Sequence, residues 1–182
     1  MPELQRLRAD HAPAVLAFER ENRAYFAGFI NDRGDDFYAR YDERHRALLA
    51  EQEAGVCAFH VLVAEDGAVL GRFNLYDLED GTAALGYRVA RDAAGRGVAT
   101  ETVREICRLA PDRYGLRTLR AATSDGNIAS QRVLLKAGFV PVGPAEPSEL
   151  GGKTGTWYER DLTGAPGVSG ASGSGSGTSG QG

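Results

Sequence analysis

The stretch Val89-Ala90-Arg91-Asp92-Ala93-Ala94-Gly95-Arg96-Gly97-Val98-Ala99-Thr100 decides how the rest of the chain is read. Upstream of it, Thr82 to Ala90 alternates Ala83, Leu85, Tyr87 and Val89 at the period of a strand. Downstream, Ala99, Val103, Ile106 and Ala110 recur at helical spacing, which predicts a helix from about Val98 to Ala110. A strand that passes through a small-residue loop into a helix leaves unpaired N–H groups and a positive dipole end at that junction, a setting that favours phosphate or pyrophosphate. Gly95 and Gly97 let the backbone approach a ligand closely, and Arg96 adds a cation between them. A plain tight turn uses the same glycines.

Working outward, the segments before the loop read as a meander. Cys57 to Ala64 carries Cys57, Phe59, Val61 and Val63 at period 2; Glu65-Asp66-Gly67 signals a turn; Val69 to Tyr76 sets Val69, Phe73 and Leu75 against Arg72, Asn74 and Tyr76; Glu79-Asp80-Gly81 signals the next turn. Nearer the N-terminus, Leu4 to Arg8 is a short strand. Asp10 as N-cap and Pro13 in the first turn open a helix to about Glu21. Asn22 to Gly34 is irregular and aromatic, with Tyr25, Phe26 and Phe29. A second helix runs from Asp35 or Asp36 to Gly55, with Phe37, Tyr41, Leu48 and Leu49 on one face. After the loop and its helix come a strand, Thr118 to Thr123, and a helix, Asn127 to Ala137, capped by Asn127 after the Asp125-Gly126 turn and closed by Gly138. Phe139 to Val142 and Thr156 to Asp161 are closing strands. Strand, glycine loop, helix, strand is a βαβ crossover, so the predicted fold is mixed α/β with an antiparallel meander and a locally parallel join.

The 182 residues suit one folded domain, assigned to residues 1–162, followed by a Gly/Ser-rich tail at 163–182. From Pro166 onward there is no aromatic or charged residue, so that segment cannot offset its ordering entropy and reads as flexible. The net charge of −4 disfavours a general nucleic-acid binder. No apolar run approaches the ~20 residues of a bilayer span, and Met1 to Leu7 lacks the layout of a secretion signal, so the expectation is a cytoplasmic protein without a membrane partner. Cys57 and Cys107 match no metal or redox spacing and read as small buried residues. His11, His45 and His60 form no metal spacing, no HExxH is present, and no metal is expected. No G-x-S-x-G elbow marks a serine hydrolase.

Three ligand classes compete for the loop. A Walker loop needs Gly-Lys-Ser/Thr, which is absent, and a dinucleotide fingerprint needs a third glycine where Thr100 stands. The pyrophosphate of coenzyme A is the third class. The segment Asn127-Ile128-Ala129-Ser130-Gln131-Arg132-Val133-Leu134-Leu135-Lys136-Ala137-Gly138-Phe139, about one βα unit later, favours it. Loop and segment together resemble the GNAT superfamily of acyl-CoA N-acyltransferases, in its branch of ribosomal-protein-alanine N-acetyltransferases. That family's [QR]-x-x-G-x-[GA] loop is matched around Gly95-Arg96-Gly97, and the branch's N-x-x-S-x-x-V-L-x-K-x-G-F by Asn127 through Phe139. Gly86-Tyr87 and the Leu7-Arg8 opening with Asp10 fit the same branch, and the resemblance spans about residues 4 to 162.

The resemblance implies a mostly antiparallel sheet with helices on both faces and a V-shaped splay, acetyl-CoA as donor and an amine as acceptor. Pantetheine would add along the strand end Tyr87-Arg88-Val89. The pyrophosphate would sit on Ala94, Gly95, Arg96, Gly97, Val98, Ala99 and Thr100. Asn127 would bind the pantetheine arm, and Ser130 would lie near the thioester sulfur as hydrogen-bond donor or proton relay to the leaving thiolate. A main-chain N–H near Val89 would stabilise the oxyanion. Three positions depart from the pattern: Ala94 replaces Gln or Arg, with Arg96 or Arg91 as compensating cations; Leu134 stands where many members have a tyrosine acid; Ala84 stands where many have a carboxylate. No general base follows from the resemblance, and Asp77, Glu79, His60 and Tyr76 are the polar candidates. Tyr25 to Phe29 with Asp35 and Asp36, and also Trp157 and Tyr158, either line the acceptor groove or pack against the sheet. The acceptor is a protein N-terminus or a small amine such as an antibiotic or polyamine. The alternative is a non-catalytic acyl-CoA sensor. A homodimer is implied by resemblance alone.

Overall fold

The computed structural model describes residues 1–164, so most of the predicted tail lies outside the described residues. Its centre is a seven-stranded sheet in the order β1-β2-β3-β4-β5-β7-β6. The strands are β1 (Glu3–Arg6), β2 (Ala58–Val63), β3 (Val69–Glu79), β4 (Thr82–Val89), β5 (Thr118–Ser124), β6 (Val140–Ala145) and β7 (Gly155–Asp161). Every neighbouring pair is antiparallel except β4 and β5. The helices are α1 (Ala12–Glu21), α2 (Arg23–Phe26), α3 (Asp35–Ala39), α4 (Tyr41–Glu53), α5 (Val98–Tyr114) and α6 (Ile128–Lys136). None of them is long and apolar enough to cross a membrane.

The β3–β4 hairpin forms where the Asp80-Gly81 pair dictates it. Both residues have positive φ (52° and 76°), and Glu79 pairs with Thr82 across them, the two-residue turn that matches strand twist. The parallel join is short. Thr82, Ala83 and Ala84 face Thr118, Leu119 and Arg120, and pairing stops there. Past Ala84, β4 stays with β3 as far as Val89, and β5 stays with β7 as far as Ser124. The two halves of the sheet therefore part in a V, and among the described residues the β5-facing edge of β4 from Leu85 to Val89 has no strand partner.

Both faces of the sheet are covered. On one side Leu62, Phe73, Leu75 and Leu85 pack with Val103, Ile106 and Ala110 of α5 and Leu134 of α6. On the other, Phe59 and Val61 pack with Val15 and Phe18 of α1 and Tyr41 and Leu48 of α4. Double coverage explains why β2 is buried at five consecutive positions and why Arg72 and Asn74, which alternate with the apolar positions of β3, are buried too. Arg72 reaches Glu19 of α1 at 2.7 Å, and Arg88 reaches the other carboxylate oxygen at 3.2 Å. A carboxylate taken out of water is tolerated because two guanidiniums hold it.

Several local expectations change. Asp10 does not cap α1; it lies in a single 3₁₀ turn, its carboxylate held by Arg8 Nε at 3.1 Å, and α1 starts after His11. The stretch after Asn22 contains the short helix α2. The second helix is two, α3 and α4, broken at Arg40. Helix α5 runs one turn past Ala110 through Pro111, since a proline that close to the end forfeits only one ladder bond, and Gly115 in the left-handed region stops it. Cys107 is buried, but Cys57 is only half-buried.

Candidate functional site

The V is where the predicted site residues meet. Gly95 and Gly97 both adopt positive φ (75° and 77°), with open space where a Cβ would stand, so backbone conformation is what demands glycine here. Glu101 N–H donates to Gly97 O at 3.0 Å and closes the first turn of α5. The N–H groups of Val98, Ala99 and Thr100 therefore lie outside the helical ladder, at the positive end of a 17-residue helix.

A cavity of about 430 Å³ opens above this turn. Tyr87, Arg88 and Val89 of β4 line it, as do Ala94, Gly95 and Gly97 to Thr100, and Asn127 and Ser130 of the α6 start. Tyr25, Phe26 and Phe29 form an aromatic wall. Three lining side chains are cationic, Arg88, Arg132 and Lys136, and none is a carboxylate, in a chain of net charge −4. Arg132 and Lys136 are one turn apart on α6, on the face that also carries Ala129 and Val133. Arg88 shares Glu19 with Arg72, one carboxylate for two guanidiniums, so a net positive charge remains beneath the cavity.

A second cavity, of about 290 Å³, adjoins the first through Phe29, Ile30, Asn127 and Ser130. Its walls come from Asn31, from Ala122 to Ser124 of β5, and from Glu149, Leu150, Gly151 and Lys153 before β7. Lys153 Nζ donates to Phe29 O at 3.0 Å and straps the two walls together. Glu149 is the one carboxylate lining this groove. Its Oε2 accepts from Trp157 Nε1 and from the N–H of Glu146, both at 3.0 Å, which fixes the side chain and leaves Oε1 unengaged.

Residues 3–140 match the family model described as Acetyltransferase (GNAT) domain. The chain belongs to the GNAT acetyltransferase family. It is 31% identical over 142 residues, 73% of this chain and 77% of the relative, to a probable N-acetyltransferase, YjcK, of Bacillus subtilis strain 168. Its fold is similar to that of the ribosomal-protein-S5-alanine acetyltransferase of Vibrio fischeri, with a TM-score of 0.82 at 17% identity over 89% of this chain and 93% of that one. It is similar also to Mycobacterium smegmatis RimJ in complex with CoA-disulfide (TM-score 0.77, 21% identity, 87% and 80% covered). A third likeness is to the Vibrio cholerae spermidine N-acetyltransferase in complex with CoA and spermine (0.73, 13%, 89% and 96%). This chain is thus an N-acetyltransferase of the GNAT type.

Within the GNAT frame, the loop, the β4 end, Asn127 and Ser130 come together around one cavity. Arg96 does not join them: it is exposed and off the cavity wall, as is Arg91. The cations beside the loop are instead Arg132 and Lys136, legible only as a one-turn spacing on the face of α6 that also bears Ser130. Leu134 is sealed in the core with Phe139 and lines neither cavity. His60 is buried, and its Nδ1–H donates to Phe73 O (3.1 Å) while its Nε2 accepts from Tyr114 Oη (2.8 Å). Burial lowers its pKa to about 4, so it is a neutral core residue remote from either groove. Tyr76 accepts a hydrogen bond from Asn74 and lies over Gly86, and neither it, Asp77 nor Glu79 lines either cavity. Asp35 is drawn to Arg23 at 2.9 Å together with Asp32, and Asp35 and Asp36 also lie off both grooves. Tyr158 packs in the core, while Trp157 acts on the second groove through Glu149. Glu149 itself carries no local sequence signal.

Proposed function

We propose that this GNAT protein transfers the acetyl group of acetyl-CoA to a single α-amine, such as a protein N-terminus. The observation that carries the reading is the pair of grooves meeting at Asn127 and Ser130, one cationic and the other holding a lone fixed carboxylate. The cationic groove suits a polyanionic donor. The N–H groups of Val98 to Thr100 would hold the pyrophosphate, Arg132 and Lys136 would supply charge from the facing wall, and the open edge of β4 from Tyr87 to Val89 would receive the pantetheine amides. When bound, acetyl-CoA supplies an acyl group activated as a thioester.

The second groove would take the acceptor. A polyamine offers several ammonium groups and calls for several carboxylates, but here Glu149 is accompanied by a cation, Lys153. With Lys153 beside Glu149 the groove carries no net negative charge, so it suits an amine that enters in its neutral form. An α-amine, with a pKa near ~8, is partly neutral at neutral pH and needs only a modest base. Glu149 Oε1 would orient that amine and accept its proton. The neighbours that act on ribosomal proteins support a protein N-terminus, and the spermidine acetyltransferases among them keep the small-amine reading in the test.

Thiol release from acetyl-CoA, followed with an alanine-initiated peptide, an Nα-blocked lysine peptide and spermidine, tests the reading. Turnover with the free α-amine alone is the expected result. Preference for spermidine would overturn the acceptor assignment, and CoA binding without turnover of any amine would favour a sensor.

A further inference from the structure

Two hydroxyl groups face each other across the V. Tyr87 rises from β4 and Ser130 sits in the first turn of α6, with Oη and Oγ 3.0 Å apart. The Tyr87 ring lies flat against Phe73, with centroids 5.7 Å apart and planes 10° apart, so the phenol oxygen has little room to wander. Its O–H is directed at Ser130, whose main-chain oxygen lies 3.4 Å away. The N–H of Ser130 is already committed to Asn127 Oδ1 at 3.2 Å. Both hydroxyl-bearing side chains line the donor cavity.

We propose that Tyr87 is a positioning residue for the leaving thiolate: by donating to Ser130 Oγ it frees the single Ser130 hydroxyl proton to point at the sulfur. A serine hydroxyl has one proton and two acceptor sites. If Ser130 spent that proton on Tyr87, none would remain for the ligand. With Tyr87 as donor, the two O–H groups form a chain running Tyr87 to Ser130 to sulfur, and each bond polarises the next.

The chain stabilises charge and does not transfer a proton. When the carbon–sulfur bond breaks, its electron pair stays on sulfur. The thiolate accepts the Ser130 hydrogen bond, and both hydroxyls keep their protons. The amine proton leaves on the acceptor side, and the thiolate takes a proton from water on release. Burial pushes the Tyr87 phenol up to about 12. It is then a weaker acid than a thiol of pKa ~8.5, so it holds its proton beside a thiolate.

The inference rests on the donor reading of the cavity, and calorimetry with CoA tests that reading separately. Failure of the wild type to bind CoA would remove the donor site itself. With binding established, the thiol of bound CoA is titrated by its thiolate ultraviolet absorbance. In the wild type it is expected to ionise about ten-fold more readily than free CoA, the size of a charge-assisted hydrogen bond. Tyr87→Phe, which keeps the ring against Phe73, should lose at least half of that shift with unchanged CoA affinity. Ser130→Ala should lose all of it, and the double variant no more than Ser130→Ala alone. In turnover, Tyr87→Phe should lower kcat about three-fold at constant KM for acetyl-CoA, and less so with a thioester of a more acidic thiol. A Tyr87→Phe protein that binds CoA and ionises its thiol like the wild type would overturn the proposal. Should Tyr87→Phe fold poorly, 3-fluorotyrosine at the same position, a stronger donor, should ionise the bound thiol more readily than the wild type; no change would likewise overturn it.

Discussion

The two grooves that meet at Ser130 are assembled in opposite ways. Apart from an aromatic wall at Tyr25 to Ile30, the cationic groove is lined by 87–100 and 127–136, the β4–loop–α5 junction and the start of α6, two parts of a single β4-α5-β5-α6 unit. The second groove draws short pieces from three places far apart in the chain: 29–31, 122–130 and 149–153. A site made by one supersecondary unit carries its chemistry in fixed spacings. A site made by convergence of loops carries it in tertiary contacts, such as Lys153 Nζ on Phe29 O and Trp157 Nε1 on Glu149. Variants should therefore separate the halves.

The largest effect is expected at the glycine loop. Gly97→Glu forces a side chain into a left-handed position and places a carboxylate at the helix N-terminus. CoA affinity should fall on the order of 1,000-fold, about 4 kcal/mol by calorimetry. An unaffected affinity would detach the donor from the loop. Next comes a residue outside both grooves. His60 is neutral in the core with its pKa lowered to about 4, while the unfolded chain titrates near 6.5. Below pH 6.5 the unfolded state takes up the proton first. Stability should therefore drop by about 3 kcal/mol as pH falls from 6.5 to 4, and stay level above 6.5. His60→Gln should flatten that slope in denaturant titrations, leaving the smaller contributions of His11 and the paired carboxylates, without a pH-dependent change in turnover.

Glu149→Gln sharpens the comparison from the other side. It should reduce kcat/KM for the amine about 30-fold and leave CoA affinity intact; a change in CoA affinity would merge the two grooves into one. Arg132→Glu and Lys136→Glu should each weaken CoA about ten-fold, less so at high salt, with the amine KM unchanged. The smallest expected effect is at the strap. Lys153→Met removes one exposed hydrogen bond and should raise the amine KM about three-fold.

Much of the fold was legible because its signals are local. The Asp80-Gly81 turn, the Asn127 cap and the Gly95 and Gly97 positions answer to backbone conformation within a few residues. The alternation in β3 does not show that Arg72 and Asn74 are buried, because α1 covers that side of the sheet and nothing within β3 announces a helix dozens of residues earlier in the chain. His60 drew attention as a polar residue in a strand, and only its carbonyl and tyrosine partners show that its hydrogen bonds are spent in the core. Arg96 has the right spacing and the wrong direction, since a loop residue's side chain is aimed by the turn it sits in.

Taken alone, the sequence determined the antiparallel meander, the parallel crossover and the anion-favouring helix start. Each depends on periodicity, turn residues and helix ends, interactions that reach only a few positions along the chain. Tertiary structure decided where β4 and β5 part, which cations face the first groove, that Tyr87 meets Ser130, and that Glu149 stands in the second groove. Those depend on distances between segments separated by tens of residues, which no local spacing encodes.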